Sequence, residues 1–285
     1  MPKKTALVVN ADPEVEAMLS SVLTHEDWSM LHAPDNNAAL TLAEENPFGL
    51  IITGQNTSGR EDVELLRKIR RVHPHTRLII LTDESTPADV IASMRESAFS
   101  FFSKPISLAS LAEMVRMAIE GPCWDDGIEV VSATPAWLNL FARCDRNTAD
   151  RLLQFLHEVG ELSEPERTDV GTAFREMLLN AIEHGGHFDP SQYVEISYLR
   201  ARRMVTCRIK DPGQGFSLDE IPHAAVANPP DDPIRHVSYR EAQGLRPGGF
   251  GVLLTRHLVD DLIYGEKGNE VLLVKYLDAA QKQTA

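Results

Sequence analysis

Cysteine is scarce in this chain. Its three cysteines, Cys123, Cys144 and Cys207, lie far apart with no paired spacing, which argues against a disulfide framework or a zinc site and suits a reducing cytoplasm. Long apolar runs are missing as well. No stretch approaches the length of a membrane span, and the apolar part of the opening MPKKTALVVN is too short for a secretory signal and reads as a first β-strand. A cytoplasmic protein without a membrane partner is the expectation. Positive charge is in deficit, with 28 Lys and Arg against 42 Asp and Glu and a net charge of −14. Nucleic-acid backbones are held by clustered cations, so a nucleic-acid partner is not expected. The two basic clusters have simpler readings: RKIRR (Arg67 to Arg71) as the solvated face of an amphipathic helix, and LRARR (Leu199 to Arg203) as a hairpin turn between β-patterned runs.

What is present suffices for two domains. With 285 residues, 43% hydrophobic and 25% charged, each half can bury its own core. Residues 1–121 alternate short apolar runs with helix-length segments. LVV, MLHA, LIIT, LIILT and FSFF read as five strands, which predicts a flavodoxin-like, doubly wound parallel five-stranded sheet. Asp12 with Pro13 opens the first helix, Pro87 the fourth, and Ser107 caps the fifth. In the fifth helix, Leu108, Leu111, Met114, Val115, Met117, Ala118 and Ile119 cover more than one side, which fits either a buried helix or a partner surface.

Ligands of such sheets gather beyond the carboxyl ends of the strands. There the segment resembles the receiver domains of response regulators. On that resemblance Thr82 matches the receiver hydroxyl and Lys104, before Pro105, the receiver lysine. The acids do not follow. Asn10, Ala11 and Asp12 stand where receivers carry paired acids, and Gly54 stands where they carry the phosphoaccepting aspartate. Glycine offers no nucleophile, so a pseudo-receiver is expected, with Asp12, Gly54, Thr82 and Lys104 around its pocket and a role in regulation or dimerisation.

A boundary at 120–127, marked by Gly121 and Pro122, leads to a second domain over 127–278 and a short tail, 279–285. A strand (Ile128 to Val131), a helix (Thr148 to Val159) and a second helix are expected in its first part. Three segments then carry chemistry. In EMLLNAIEHG, Phe174, Met177, Leu178, Ala181 and Ile182 recur at helical spacing, which leaves Glu176, Asn180, Glu183 and His184 near one polar face. The Asn180 amide oxygen can ligate Mg²⁺, and the Glu176 carboxylate can orient or deprotonate an attacking group. In DPGQGF, Asp211 follows the strand-like MVTCRIK and can accept from an exocyclic amine, while Gly213 and Gly215 let backbone approach a flat base. In PGGFGV, Gly248, Gly249 and Gly251 precede the helical run VLLTRHLV, which puts backbone N–H groups where phosphates can lie, and Arg246 stands just before them. ATP with Mg²⁺ is the ligand these groups suit.

Together the three segments resemble the nucleotide-binding boxes of the GHKL, or Bergerat-fold, ATPases, and most closely those of the anti-sigma-factor serine kinases. The resemblance implies an α/β sandwich, a lid between Phe216 and Gly248 read as lacking regular structure, and Glu176 as the base in transfer to a serine or threonine of an antagonist protein. It also implies a sigma factor as a second partner. A homodimer is expected. A histidine kinase needs a phosphoaccepting histidine on a helical hairpin; the candidate, His157 in FLHEVGEL, reads as an ordinary helix residue. A nucleotide-gated binding module that transfers no phosphate and an atypical histidine kinase stay open as alternatives.

Overall fold

The computed structural model describes residues 4–26, 28–54, 57–120, 127–160, 162–215, 232, 235–242 and 249–277. The expected junction at Gly121 and Pro122, Cys123, most of the lid and the tail lie outside them. Contacts divide the chain into two compact units, Met1–Ile128 with Gln154–Val159, and Glu129–Leu153 with Gly160–Ala285. Among the described residues no helix is long and apolar enough to cross a membrane.

The first unit contains the five expected strands, β1 (Thr5–Val9), β2 (Ser29–Ala33), β3 (Leu50–Ile52), β4 (Arg77–Thr82) and β5 (Ser100–Ser103). They pair in parallel in the order β2-β1-β3-β4-β5. Every residue of β3 and β4 is buried, as the central strands of a sheet covered on both faces must be. The helices between them are α1 (Pro13–His25), α2 (Asn36–Glu45), α3 (Gly59–Val72), α4 (Pro87–Arg95) and α5 (Leu108–Glu120). Their starts follow local chemistry. Pro13 and Pro87 occupy first-turn positions, and capping boxes pair Ser58 with Glu61 and Thr86 with Asp89. In α5, Leu111, Ala112, Met114, Val115, Ala118 and Ile119 join a core with Leu19, Leu50, Ile79 and Phe102, and Met117 packs against it. Most of that helix's apolar surface is therefore the unit's own core, not a partner surface.

The second unit is built on a six-stranded sheet in the order β10-β11-β9-β8-β7-β6. Its elements are β6 (Ile128–Thr134), β7 (Trp137–Arg143), α6 (Arg146–Val159), α7 (Glu164–Asn180), β8 (Tyr193–Ala201), β9 (Met204–Lys210), α8 (Arg235–Ala242), α9 (Gly251–Leu258), β10 (Asp261–Tyr264) and β11 (Glu270–Tyr276). The pairings β7–β8, β8–β9, β9–β11 and β10–β11 are all antiparallel. One face is buried by alternation: Leu138, Leu140 and Ala142, then Val194, Ile196 and Tyr198, then Val205, Cys207 and Ile209. α7 packs on β9 and β11 and buries Ala173, Phe174, Met177 and Leu178. On the other face Arg208 bridges Glu195 at 2.9 Å and Glu270 at 2.6 Å across three strands.

Two elements differ from the sequence reading. β7 was not expected; its outward positions include Trp137 and Phe141, so apolar residues fall on both faces and hide the alternation. α8 lies in the segment read as irregular. Its sequence, RHVSYREA, has one aliphatic residue large enough to mark a face, Val237, so no apolar stripe announces it. The basic cluster at Leu199 to Arg203 does turn between β8 and β9, and Gly265 to Asn269 turns between β10 and β11.

Candidate nucleotide site

α7 supplies the first wall. It opens with the Glu166 carboxylate accepting from the Ser163 backbone N–H at 3.0 Å and the Ser163 hydroxyl at 2.6 Å, and its buried stripe fixes its roll against the sheet. Glu176 and Asn180, one turn apart, are both half-buried. Beyond Asn180 the helix does not continue as the spacing predicts. Ala181–Gly185 is a π turn, closed by the Gly186 N–H donating to the Ala181 carbonyl at 2.9 Å. Such turns are concentrated at functional sites. The widened turn changes the register of Glu183 and His184 relative to Asn180 and brings Gly185 against the end of β9.

Asp211 stands there, immediately after β9. A Cβ on Gly185 would overlap the Asp211 carboxyl group, so only glycine lets the two segments meet. The acid is held by its surroundings: Gly213 N–H donates to Oδ1 at 2.8 Å, the Asp211 N–H donates to the Asn269 carbonyl at 2.9 Å, and Asn269 Nδ2 donates to the carbonyls of Asp211 at 3.2 Å and Gly213 at 3.3 Å. Burial pushes the Asp211 carboxyl above its ordinary range, and the Gly213 N–H and the nearby His184 pull the other way. Gly215 adopts φ +84, and its space is closed by the Lys267 carbonyl; the atoms that crowd Gly213 and Gly215 are those of the protein itself. Asn269 was not singled out in the sequence; its place in the turn between β10 and β11, beside the 211–213 segment, is set by pairing between β9 and β11.

α9 closes the third side. Gly249 has φ +92, and the helix starts at Gly251, with Leu254 N–H making the first bond back to Phe250 at 2.8 Å. The preceding N–H groups have no intrahelical acceptor. A Cβ on Gly251 would lie 2.8 Å from Glu176 Oε2 and 3.7 Å from Asn180 Nδ2, so the start of α9 sits on the polar face of α7. The far end of α9 is tied down by Lys275, whose ammonium donates to the Leu258 carbonyl at 2.8 Å and to Asp169 of α7 at 2.9 Å. Glu176, Asn180, Asp211, Gly213, Gly215, Gly249 and Gly251 thus occupy the segments that border one region of the unit. Arg246 and Gly248 lie outside the described residues. His157 is exposed in the last turn of α6, a helix preceded by β7 and not by an antiparallel helix.

In the first unit Asp12, Gly54, Thr82 and Lys104 line one small pocket with Asp83. The Lys104 ammonium lies 2.7 Å from Asp83 and 3.3 Å from Asp12, and its pKa is raised, first by the hydrogen bond to Asp83 and also by the one to Asp12. Asp83 was missed, though the residue just after β4 is a place to look. Asn10 takes the left-handed φ of 42, which Asn tolerates better than most residues. A Cβ on Gly54 would overlap the carbonyl oxygens of Val9 and Asn10. The position thus lacks a nucleophile and has no room for one.

Two outcomes follow. Gly54→Asp is expected to lower stability by about 1–3 kcal/mol, the range of overpacking, without creating a phosphoacceptor; thermal melts and incubation with acetyl phosphate check both. Because burial raises the Asp211 carboxyl, its ionised, accepting form is lost on acidification at a higher pH than for an ordinary aspartate. Adenine-nucleotide affinity measured by calorimetry is therefore expected to fall through that window, and Asp211→Ala to weaken binding by about 10-fold or more at neutral pH.

Comparison with known proteins agrees with this division. Residues 6–116 match the model of the response regulator receiver domain, and residues 142–275 that of the histidine kinase-like ATPase domain. The transcriptional regulatory protein GlrR of Escherichia coli (strain K12) is 27% identical over 138 residues, which are 47% of this chain and 31% of that protein. The serine-protein kinase RsbW of Oceanobacillus iheyensis is 27% identical over 110 residues, 38% of this chain and 65% of that protein. A response regulator structure from Thermotoga maritima is 22% identical, with a TM-score of 0.36, and covers 42% of this chain and 99% of its own. The chain spans about a third of the first of these relatives. The chain thus joins a response regulator receiver domain to a histidine kinase-like ATPase domain, and it is similar in part to RsbW.

Proposed function

We propose that the second unit binds Mg-ATP between α7, the 211–215 segment and the start of α9, and passes the terminal phosphoryl group to a serine or threonine of a separate antagonist protein in a partner-switching pathway. The observation that carries this reading is the position of Glu176, whose carboxylate borders the first residue of α9, 2.8 Å from where a Cβ of Gly251 would stand. That places a proton acceptor beside the N–H groups best able to hold phosphate oxygens. The likeness to a protein named as a serine-protein kinase points the same way. The first unit, with its pocket closed at Gly54, serves regulation or dimerisation, and a sigma factor as second partner follows from the family resemblance.

Asp211 accepts from the adenine amine, and Gly213 and Gly215 lie beside the base. Gly249 and Gly251 present backbone N–H groups to the phosphates, and the sequence order assigns Gly248 and Arg246 to the same phosphates. Asn180 offers Mg²⁺ one neutral oxygen, which suits a hard cation that draws its other ligands from phosphates and water. Bound Mg²⁺ neutralises phosphate charge. Glu176 then receives the proton of the attacking hydroxyl as its oxygen bonds to the terminal phosphorus, and the bond from that phosphorus to the bridging oxygen breaks to release ADP.

The test is incubation with Mg-ATP and the cognate antagonist. Label on serine or threonine is expected, reduced about 100-fold or more by Glu176→Gln with nucleotide affinity nearly unchanged. Gly251→Ala, which must displace the Glu176 carboxylate, is expected to reduce transfer in the same sense. Nucleotide binding without transfer, indifferent to Glu176→Gln, identifies a nucleotide-gated module instead, and acid-labile phosphohistidine identifies a histidine kinase.

A further inference from the structure

The first unit carries an acid that its pocket does not use. Asp62, in the first turn of α3, is 0% exposed. Its Oδ1 accepts from Asn36 Nδ2 at 2.9 Å and its Oδ2 from Thr57 Oγ1 at 3.0 Å, and the nearby Thr53 hydroxyl, which donates to the Leu81 carbonyl at 3.0 Å, also favours the ionised form. These partners come from the start of α2, the end of β3 and the segment entering α3, and all are neutral. Glu61, on its own helix, opposes ionisation. Of the other elements packed on α3, α4 presents Asp89, which caps its own helix at Thr86, and β4 has its one cation, Arg77, at the end of the strand away from Thr82. A carboxylate buried without a cation resists ionisation. Burial, against the pull of its hydrogen bonds, raises the Asp62 carboxyl to about 7.

The hydrogen bonds around it are arranged to change with that proton. Ionised, Asp62 can only accept; protonated, it must donate. Asn36 Oδ1 is buried and has no hydrogen-bond partner among the described residues, and half a turn of the amide presents it to the carboxyl group. On the other side the Thr57 hydroxyl, with one hydrogen, lies 3.0 Å from both Asp62 Oδ2 and the Gly54 carbonyl. The Thr57 carbonyl is in turn 3.0 Å from Thr82 Oγ1, whose other acceptor, the Glu84 carbonyl, is at 2.9 Å. A line of contacts therefore runs from the buried acid to the rim of the Lys104 pocket.

We propose that this unit responds to protons in place of phosphoryl groups: protonation of Asp62 re-partners Asn36 and Thr57 and shifts the Thr82 hydroxyl between the Thr57 and Glu84 carbonyls. The proposal is independent of the nucleotide site. NMR titration of the full chain from about pH 5 to about pH 9 tests it. The Asp62 side-chain carbon is expected to titrate with a midpoint near 7, and the amides of Asn36, Thr57 and Thr82 to follow with the same midpoint. Asp62→Asn is expected to abolish the transition at Thr82, and Thr57→Val to leave Asp62 titrating while Thr82 no longer follows. With the folded pKa above the ordinary aspartate value of 3.8, the acid's stabilising contribution is complete below 3.8 and is lost as pH rises to about 7, so wild type is expected to lose melting temperature relative to Asp62→Asn across that window. A midpoint in the ordinary carboxylate range, or a Thr82 amide that ignores the titration of Asp62, overturns the proposal. Should Asp62→Asn fail to fold, wild type and Thr57→Val decide it.

Discussion

The second unit depends on how closely α7 can approach its neighbours. At both ends of the α7 polar face the approach is made by a residue without a side chain: Gly185 lies against the Asp211 carboxyl group, and Gly251 lies against Glu176 and Asn180. Added carbon at either place pushes an element away from the site. Packing on the far side sets the same distance from below, because the buried stripe of α7 rests on the sheet and Lys275 holds the far end of α9 to α7. The polar side chains are therefore positioned by a compressed backbone and not by one another, and the site's geometry is inherited from the core.

Much of this was legible in the sequence, and the misses have a common cause. The parallel sheet of the first unit announces itself because its strands are buried on both faces and its helices carry start signals at Pro13 and Pro87. The order of chemical groups in the second unit was also readable, since Glu176 and Asn180 sit at helical spacing and Asp211 ends a strand. Strand β7 and helix α8 were not, because one carries apolar residues on both faces and the other carries almost none. Periodicity reports a contrast between faces, and where the contrast is missing the element is silent. The π turn after Asn180 was hidden for a different reason: it is set by the meeting of Gly185 with β9, a contact between residues distant in the chain.

The two units use glycine to opposite ends. In the second, glycines admit neighbouring segments that complete a site; in the first, Gly54 admits the carbonyls of Val9 and Asn10 and fills the place of a reactive side chain. The remaining pocket groups are not left idle by that change. Lys104 is held between Asp12 and Asp83, and the Thr82 hydroxyl lies within reach of the Thr57 and Glu84 carbonyls. Each has a partner inside the protein, so each contributes to the fold whether or not any ligand enters.

That partnering bears on what a signal could act upon. Here the lysine's charge is already balanced by two carboxylates, and no side chain fits at residue 54. A stimulus must therefore act on a group that can still gain or lose charge inside the fold. Asp62 is buried, is paired with no cation among the described residues and is linked through Thr57 to the Thr82 hydroxyl. The capacity for a charge-driven rearrangement has thus not left this unit with the aspartate at its pocket; it resides one helix turn into α3.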